Sequence, residues 1–78
     1  LQQAAAAGSP DAQFAMAQRL AAGDGIEQDY VQAHIWANLA ASRGVDGAAQ
    51  QRDVFARFLT PEQLAAAQNA ATAWRPTE

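Results

Sequence analysis

Alanine supplies most of the apolar surface of this 78-residue chain: 22 positions are Ala, against five Leu, three Val, three Phe and two Ile. A helix faced with methyl groups has nothing that reaches across a gap. Its neighbours must stand at the short end of the usual ~8 to 10 Å between axes. No stretch sustains a two-residue alternation and β-branched residues are scarce, so no strands are expected. The fold class read from this pattern is all-α, one small domain of about four helices with a thin core.

Gly and Pro mark where those helices begin and end. Gly8-Ser9-Pro10 closes whatever helix Leu1 to Ala7 belongs to and opens the next, with Ser9 as N-cap and Pro10 in the first turn. That helix should reach Ala22, where Gly23-Asp24-Gly25 favours a turn over helix continuation. Asp29 with Gln32 reads as a capping box for a helix ending near Arg43 and Gly44. A third helix is expected from about Gly47 to Phe58. Thr60-Pro61-Glu62-Gln63 then gives the clearest start signal, for a helix that reaches Trp74 and stops before Arg75-Pro76.

Helical spacing assigns the faces. In the Pro10 helix, Ala12, Met16, Leu20, Phe14, Ala17 and Ala21 turn inward, leaving Asp11, Ala15, Gln18 and Arg19 to solvent. The next helix carries a stripe of Ala33, Trp36, Ala37 and Ala40, flanked by Tyr30, Leu39 and Ala41, with His34, Asn38 and Ser42 as its polar line. Val54, Phe55, Phe58 and Leu59 are the apolar set of the third, and Leu64, Ala67, Ala71 and Trp74 that of the fourth. These stripes exceed the ~100° of a helix that covers a single core, so each helix should touch neighbours on more than one side.

Composition excludes several functions. There is no Cys, hence no disulfide, thiolate nucleophile or Cys-based zinc site, and one His removes every motif that needs two. A net charge of -3 without clustered Lys or Arg argues against a nucleic-acid surface. The uncharged runs Tyr30 to Ser42 and Gln63 to Trp74 fall short of the ~18 to 20 residues that cross a bilayer. No cofactor or metal site is expected. The acidic turn of Asp24, Glu27 and Asp29 lacks the twelve-residue ligand pattern of a calcium loop and reads as a capped, solvated turn.

Self-comparison aligns Ala7-Gly8-Ser9-Pro10-Asp11-Ala12 with Arg43-Gly44-Val45-Asp46-Gly47-Ala48, an offset of 36. A period in the thirties with one helix pair per period is the signature of helical repeat arrays. The segment Asp11-Ala12-Gln13-Phe14-Ala15-Met16-Ala17, then Gly23-Asp24-Gly25-Ile26-Glu27-Gln28-Asp29-Tyr30, then Ala33, Trp36, Ala40-Ala41 and Gly44, resembles the Sel-one-like repeat, a relative of the tetratricopeptide repeat. Ala17, Leu20 and Ala37 depart from the family's usual Gly, Tyr and aromatic residue. The resemblance implies an antiparallel helix-pair solenoid, a tetratricopeptide-like right-handed superhelix. Residues 1–7 would end a preceding helix, 8–44 form one full repeat and 45–75 a C-terminal capping pair. It further implies a scaffold or protein–protein interaction module of a bacterial protein that takes a protein or peptide on its concave face. The compartment stays open, the periplasm being favoured by the resemblance alone. Beginning at Leu1, the chain reads as a piece of something longer.

Every motif residue here has a structural task, so the motif describes a scaffold and no chemistry. An enzyme-like, hydrolase member of the family is the alternative from another class, against which stand the missing Cys and the missing S-x-x-K. A purely structural cap of a longer array is a third reading. No catalytic residue is expected: His34, Asn38 and Ser42 read as an exposed face, and Ser42 has no base in its local sequence. Candidate partner-binding residues are Asp11, Gln18 and Arg19 with Arg52 and Arg57, the last two on a charged face with Gln50 and Asp53. Gln13, among apolar neighbours, should bond a backbone group at the turn. Trp74 reads as a lid, or else as a partner's anchor.

Overall fold

The computed structural model describes residues 2–77, and among them every regular element is an α-helix: α1 (Gln2–Ala6), α2 (Pro10–Ala22), α3 (Tyr30–Ser42), α4 (Ala48–Ala56) and α5 (Pro61–Ala73). The starts follow the local chemistry. Ser9 Oγ accepts the Ala12 N–H at 3.4 Å, Asp29 Oδ1 accepts the Gln32 N–H at 3.1 Å, and Thr60 and Gln63 exchange reciprocal bonds of 3.1 and 2.9 Å. These contacts satisfy N–H groups that a first helical turn leaves without partners.

The α2–α3 turn is held more tightly than its glycines alone would hold it. Gly23 (φ +72°) gives its N–H to the Arg19 carbonyl at 2.8 Å, and Gly25 also sits at φ +72°. Side chains rarely adopt that conformation, and a Cβ on Gly23 would stand 3.3 Å from the Gln28 Cβ. The chain then ties back to α2: the Asp29 N–H reaches the Leu20 carbonyl at 2.9 Å and Gln28 Nε2 the Ala21 carbonyl at 2.7 Å. Orphan carbonyls at the end of α2 are thereby paired, and α3 is set running back along it.

The central helix is α3, which packs against α2, α4 and α5, while α1 leans on α2. Contacts set the directions. Arg52 of α4 meets Asn38, and Phe55 and Phe58 meet Tyr30, so α4 runs opposite to α3. Ala71 and Thr72 lie beside Leu39 and Ser42, so α5 runs with it. Neither α4 nor α5 leans much on the other; each is held by α3. Two apolar clusters result. One joins Ala5, Ala12, Met16, Ala17, Leu20, Ala33, Ala37 and Phe55, and the other Ile35, Leu39 and Ala67. Trp36 belongs to the edge of both.

Two expectations about faces are corrected. His34 was expected on an exposed polar line; it is 2% exposed, because α4 covers that side of α3. Val54 and Phe58 were expected to be part of an apolar face, yet they are 43% and 60% exposed. Phe58 lies beyond the end of α4 at Ala56, so it does not keep the helical register that would bring it beside Phe55 at the core. Phe55, at 4% exposed, takes the inward position. The α4 helix itself ends at Ala56, two residues short of the expected Phe58.

Ala33, Ala37 and Ala40 of α3 are fully buried, which is the close approach that alanine facing demands. Replacing Ala37→Leu should destabilise the fold by ~1 to 3 kcal/mol through overpacking, whereas Ala65→Leu on the exposed face of α5 should change it by less than ~0.5 kcal/mol. Urea melts of the two variants check this. Equal stability in both would remove close helix approach as the organising constraint.

Candidate interaction surface

Of the candidate contact residues read from sequence, Asp11, Gln18, Arg19 and Arg57 are exposed and Arg52 is partly buried. Asp11 is exposed in the first turn of α2, and Gln18 and Arg19 are exposed near its end. Arg19 is partly engaged at home: its Nε donates to the Asp24 carbonyl at 3.4 Å over the glycine turn. Arg52 is turned toward α3, its Nη1 donating to Asn38 Oδ1 at 3.3 Å and its Nε pairing with Asp53 Oδ1 at 3.2 Å. Arg57 is exposed at the end of α4.

What stands out instead is aromatic. The Phe58 ring stacks on Tyr30 with centroids 4.5 Å apart and planes 16° from parallel, while Phe55 underlies Tyr30 at 6.1 Å. Tyr30 is fixed from below by this core ring and begins α3 directly after the Asp29 cap, so Phe58 is held against a rigid support. Val54 adds its side chain one turn earlier on α4. Together they form an apolar ledge bordered by the charged residues Arg57 and Asp29 along the chain. Sequence reading placed Phe58 in an inward set, on the expectation of a helix that reaches it; α4 stops at Ala56 instead.

A second feature is polar and partly buried. His34, Asn38 and Ser42 follow one another at four-residue spacing along α3, and Arg52 and Asp53 of α4 face the first two. His34 Nδ1 is buried without a hydrogen-bond partner. An open cavity of about 180 Å³ lies at the far end of this line, lined by Asn38, Leu39, Ser42, Ala71 and Thr72. Its hydroxyls serve their own helices: Ser42 Oγ donates to the Leu39 carbonyl at 2.7 Å and Thr72 Oγ1 to the Gln68 carbonyl at 3.0 Å. Ser42 therefore directs its proton to backbone and faces no base among the cavity's lining residues. Among the described residues no three His, Asp or Glu side chains gather where they could hold a metal ion. No helix among the described residues is long and apolar enough to cross a membrane.

Two remaining readings can be placed. Gln13 is 2% exposed and its Nε2 donates to the Ala5 carbonyl at 3.2 Å, a backbone group at the end of α1. Trp74 caps α5 and meets Trp36 edge to face at 6.1 Å, half-buried over the second cluster, which is the position of a lid. Comparison with protein-family models, curated proteins and solved structures gives no match.

Burial pushes the pKa of His34 below its ordinary 6.5, the Arg52 guanidinium pushes it the same way, and Asp53 opposes them. The folded chain takes up this proton less readily than the unfolded one. Its stabilising share is thus complete above pH 6.5 and is lost as the pH falls from there through the lower folded-state midpoint. Because His34 is the only histidine, a proton NMR titration should show one imidazole midpoint below 6.5, and urea melts should weaken from pH 7 to 5.5. His34→Gln should flatten that dependence; a midpoint at or above 6.5 would contradict the geometry.

Proposed function

We propose that this chain is a protein–protein interaction module of the helical-repeat kind, with the Tyr30–Phe58–Val54 ledge as its contact point for a peptide or protein. The ledge carries the reading. Phe58 and Val54 are the large apolar side chains most exposed among the described residues, in a chain otherwise short of them. Aromatic side chains held rigid at a surface are what binding interfaces use as anchors, since little rotamer freedom is lost on contact. Arg57, next in the chain to Phe58, supplies a charge that can select an acidic neighbour.

The Sel-one-like resemblance supports the same reading through its turn. Gly23 to Tyr30 is used here to dock α3 on α2, and Tyr30 closes that turn and carries the ledge. In this view α2 and α3 form a repeat unit, with α4 and α5 continuing the array on the surface of α3. A structural role for α5 as a closing element is supported separately. Ala67 is its only fully buried residue among the described ones, and Glu62, Gln63, Gln68 and Asn69 lie exposed, as the outer face of a terminal cap requires.

A photo-crosslinking residue placed at position 58 should capture one recurrent partner at its contact segment, and titration of that purified partner should then be weakened at least tenfold by Phe58→Ser with Val54→Ser. The double variant should keep thermal stability within ~1 kcal/mol, because both side chains are solvent-facing. Unaltered affinity for the captured partner would remove the ledge from the interface. A larger stability loss would make it part of the core.

A further inference from the structure

Tyr30, His34 and Asn38 stand four residues apart and so form one line on α3, along the side that α4 crosses. The fasteners of α4 sit at the two ends of that line. At one end Arg52 Nη1 donates to Asn38 Oδ1 at 3.3 Å, and at the other Phe55 and Phe58 hold the Tyr30 ring, with centroids 6.1 and 4.5 Å from it. His34 lies between them, 2% exposed, and its Nδ1 has no hydrogen-bond partner. The imidazole is enclosed in the joint without helping to tie it.

The charges around the ring come from α4 alone. From Tyr30 to Ser42, α3 carries no Asp, Glu, Lys or Arg. Arg52 opposes a positive charge on the ring and Asp53 favours one, but the Asp53 side chain is 73% exposed and already pairs with Arg52 Nε at 3.2 Å. Asp11 and Arg19 of α2 and Glu62 of α5 are exposed, and none of them acts on the ring. A neutral imidazole bears burial with an idle nitrogen at modest cost. Once protonated, it would present a positively charged N–H with no acceptor, beside a second cation.

The piece best able to give way is α4. It is nine residues long, its N-cap is Gly47 with no side-chain cap bond, and its main support is α3 itself. Helices of that length do not persist by their own propensity. We propose that His34 is a proton-operated release for α4: when the ring takes up a proton, α4 lifts from the Tyr30–His34–Asn38 line and the Tyr30–Phe58 ledge comes apart. Contact at the ledge is then confined to conditions in which the ring is neutral, a consequence that rests on the ledge being the contact point. The release of α4 does not rest on it.

Amide hydrogen exchange of the chain alone, on either side of the imidazole midpoint, tests the release without any partner, so its failure is separate from a failure of the ledge to bind. Protection factors at residues 52–56 should fall by about tenfold or more on protonation, while those inside α2 change by less than about threefold. Cross-peaks between the Tyr30 and Phe58 rings should fade over the same range. His34→Gln should keep both signals, and Arg52→Gln should raise the imidazole midpoint and carry the onset of α4 opening up with it. Equal loss of protection in every helix, or a Tyr30–Phe58 contact that survives with the ring charged, overturns the proposal. If His34→Gln does not fold, Arg52→Gln decides alone, and an opening that fails to follow the shifted midpoint overturns it as well.

Discussion

Everything in this molecule rests on how near three helices can come to α3. Ala33, Ala37 and Ala40 are without exposure, and each faces a neighbour through a methyl group. Close approach multiplies small dispersion contacts that alanine cannot make across a wider gap. The larger residues, Met16, Leu20, Ile35, Leu39 and Phe55, fill the spaces between those contacts. A core of this kind tolerates little addition of volume, and it leaves few long side chains to spare. When such a chain leaves Phe58 and Val54 outside, apolar bulk has been withheld from a core that is short of it.

Helix positions were largely legible in the sequence because caps and stops are local chemistry. Ser9, Gly23, Asp29 and Thr60 each act where their neighbours within four residues place them. The inward residues of α2 were legible for the same reason, since that helix presents one side and leaves Asp11, Gln18 and Arg19 outside. Burial on α3 was not. A polar line of His34, Asn38 and Ser42 looks solvated until one knows that α4 lies across it, and that is decided by residues 14 to 18 positions away. Periodicity reports which residues share a face, and only tertiary contacts report whether the face is covered.

The candidate sites divide along the same line. Charged residues picked from local pattern turned out to be engaged at home in part, Arg52 with Asn38 and Arg19 with the Asp24 carbonyl. The ledge depends on stacking between Tyr30 and Phe58, which no spacing rule reveals because Tyr30 opens α3 and Phe58 lies beyond the end of α4. The segment after α5 is tied down by the Thr77 N–H donating to the Ala6 carbonyl at 2.8 Å, a contact between the sixth and the seventy-seventh residue. Glycine-turn motifs tell how a hairpin closes. They are silent on what its outer surfaces meet.

The Thr77–Ala6 bond has one more implication, for the order in which parts come loose. Entropy charges most for joining residues far apart in sequence, and this joint spans nearly the whole chain while resting on a single amide and one indole pair. Its amide should therefore exchange with solvent through brief partial openings in which residues 74–77 lift away while α1, held by the buried Ala5 and the Gln13 bond, stays on α2. The molecule is in that sense a clasped bracelet, with its catch at the place of least local support.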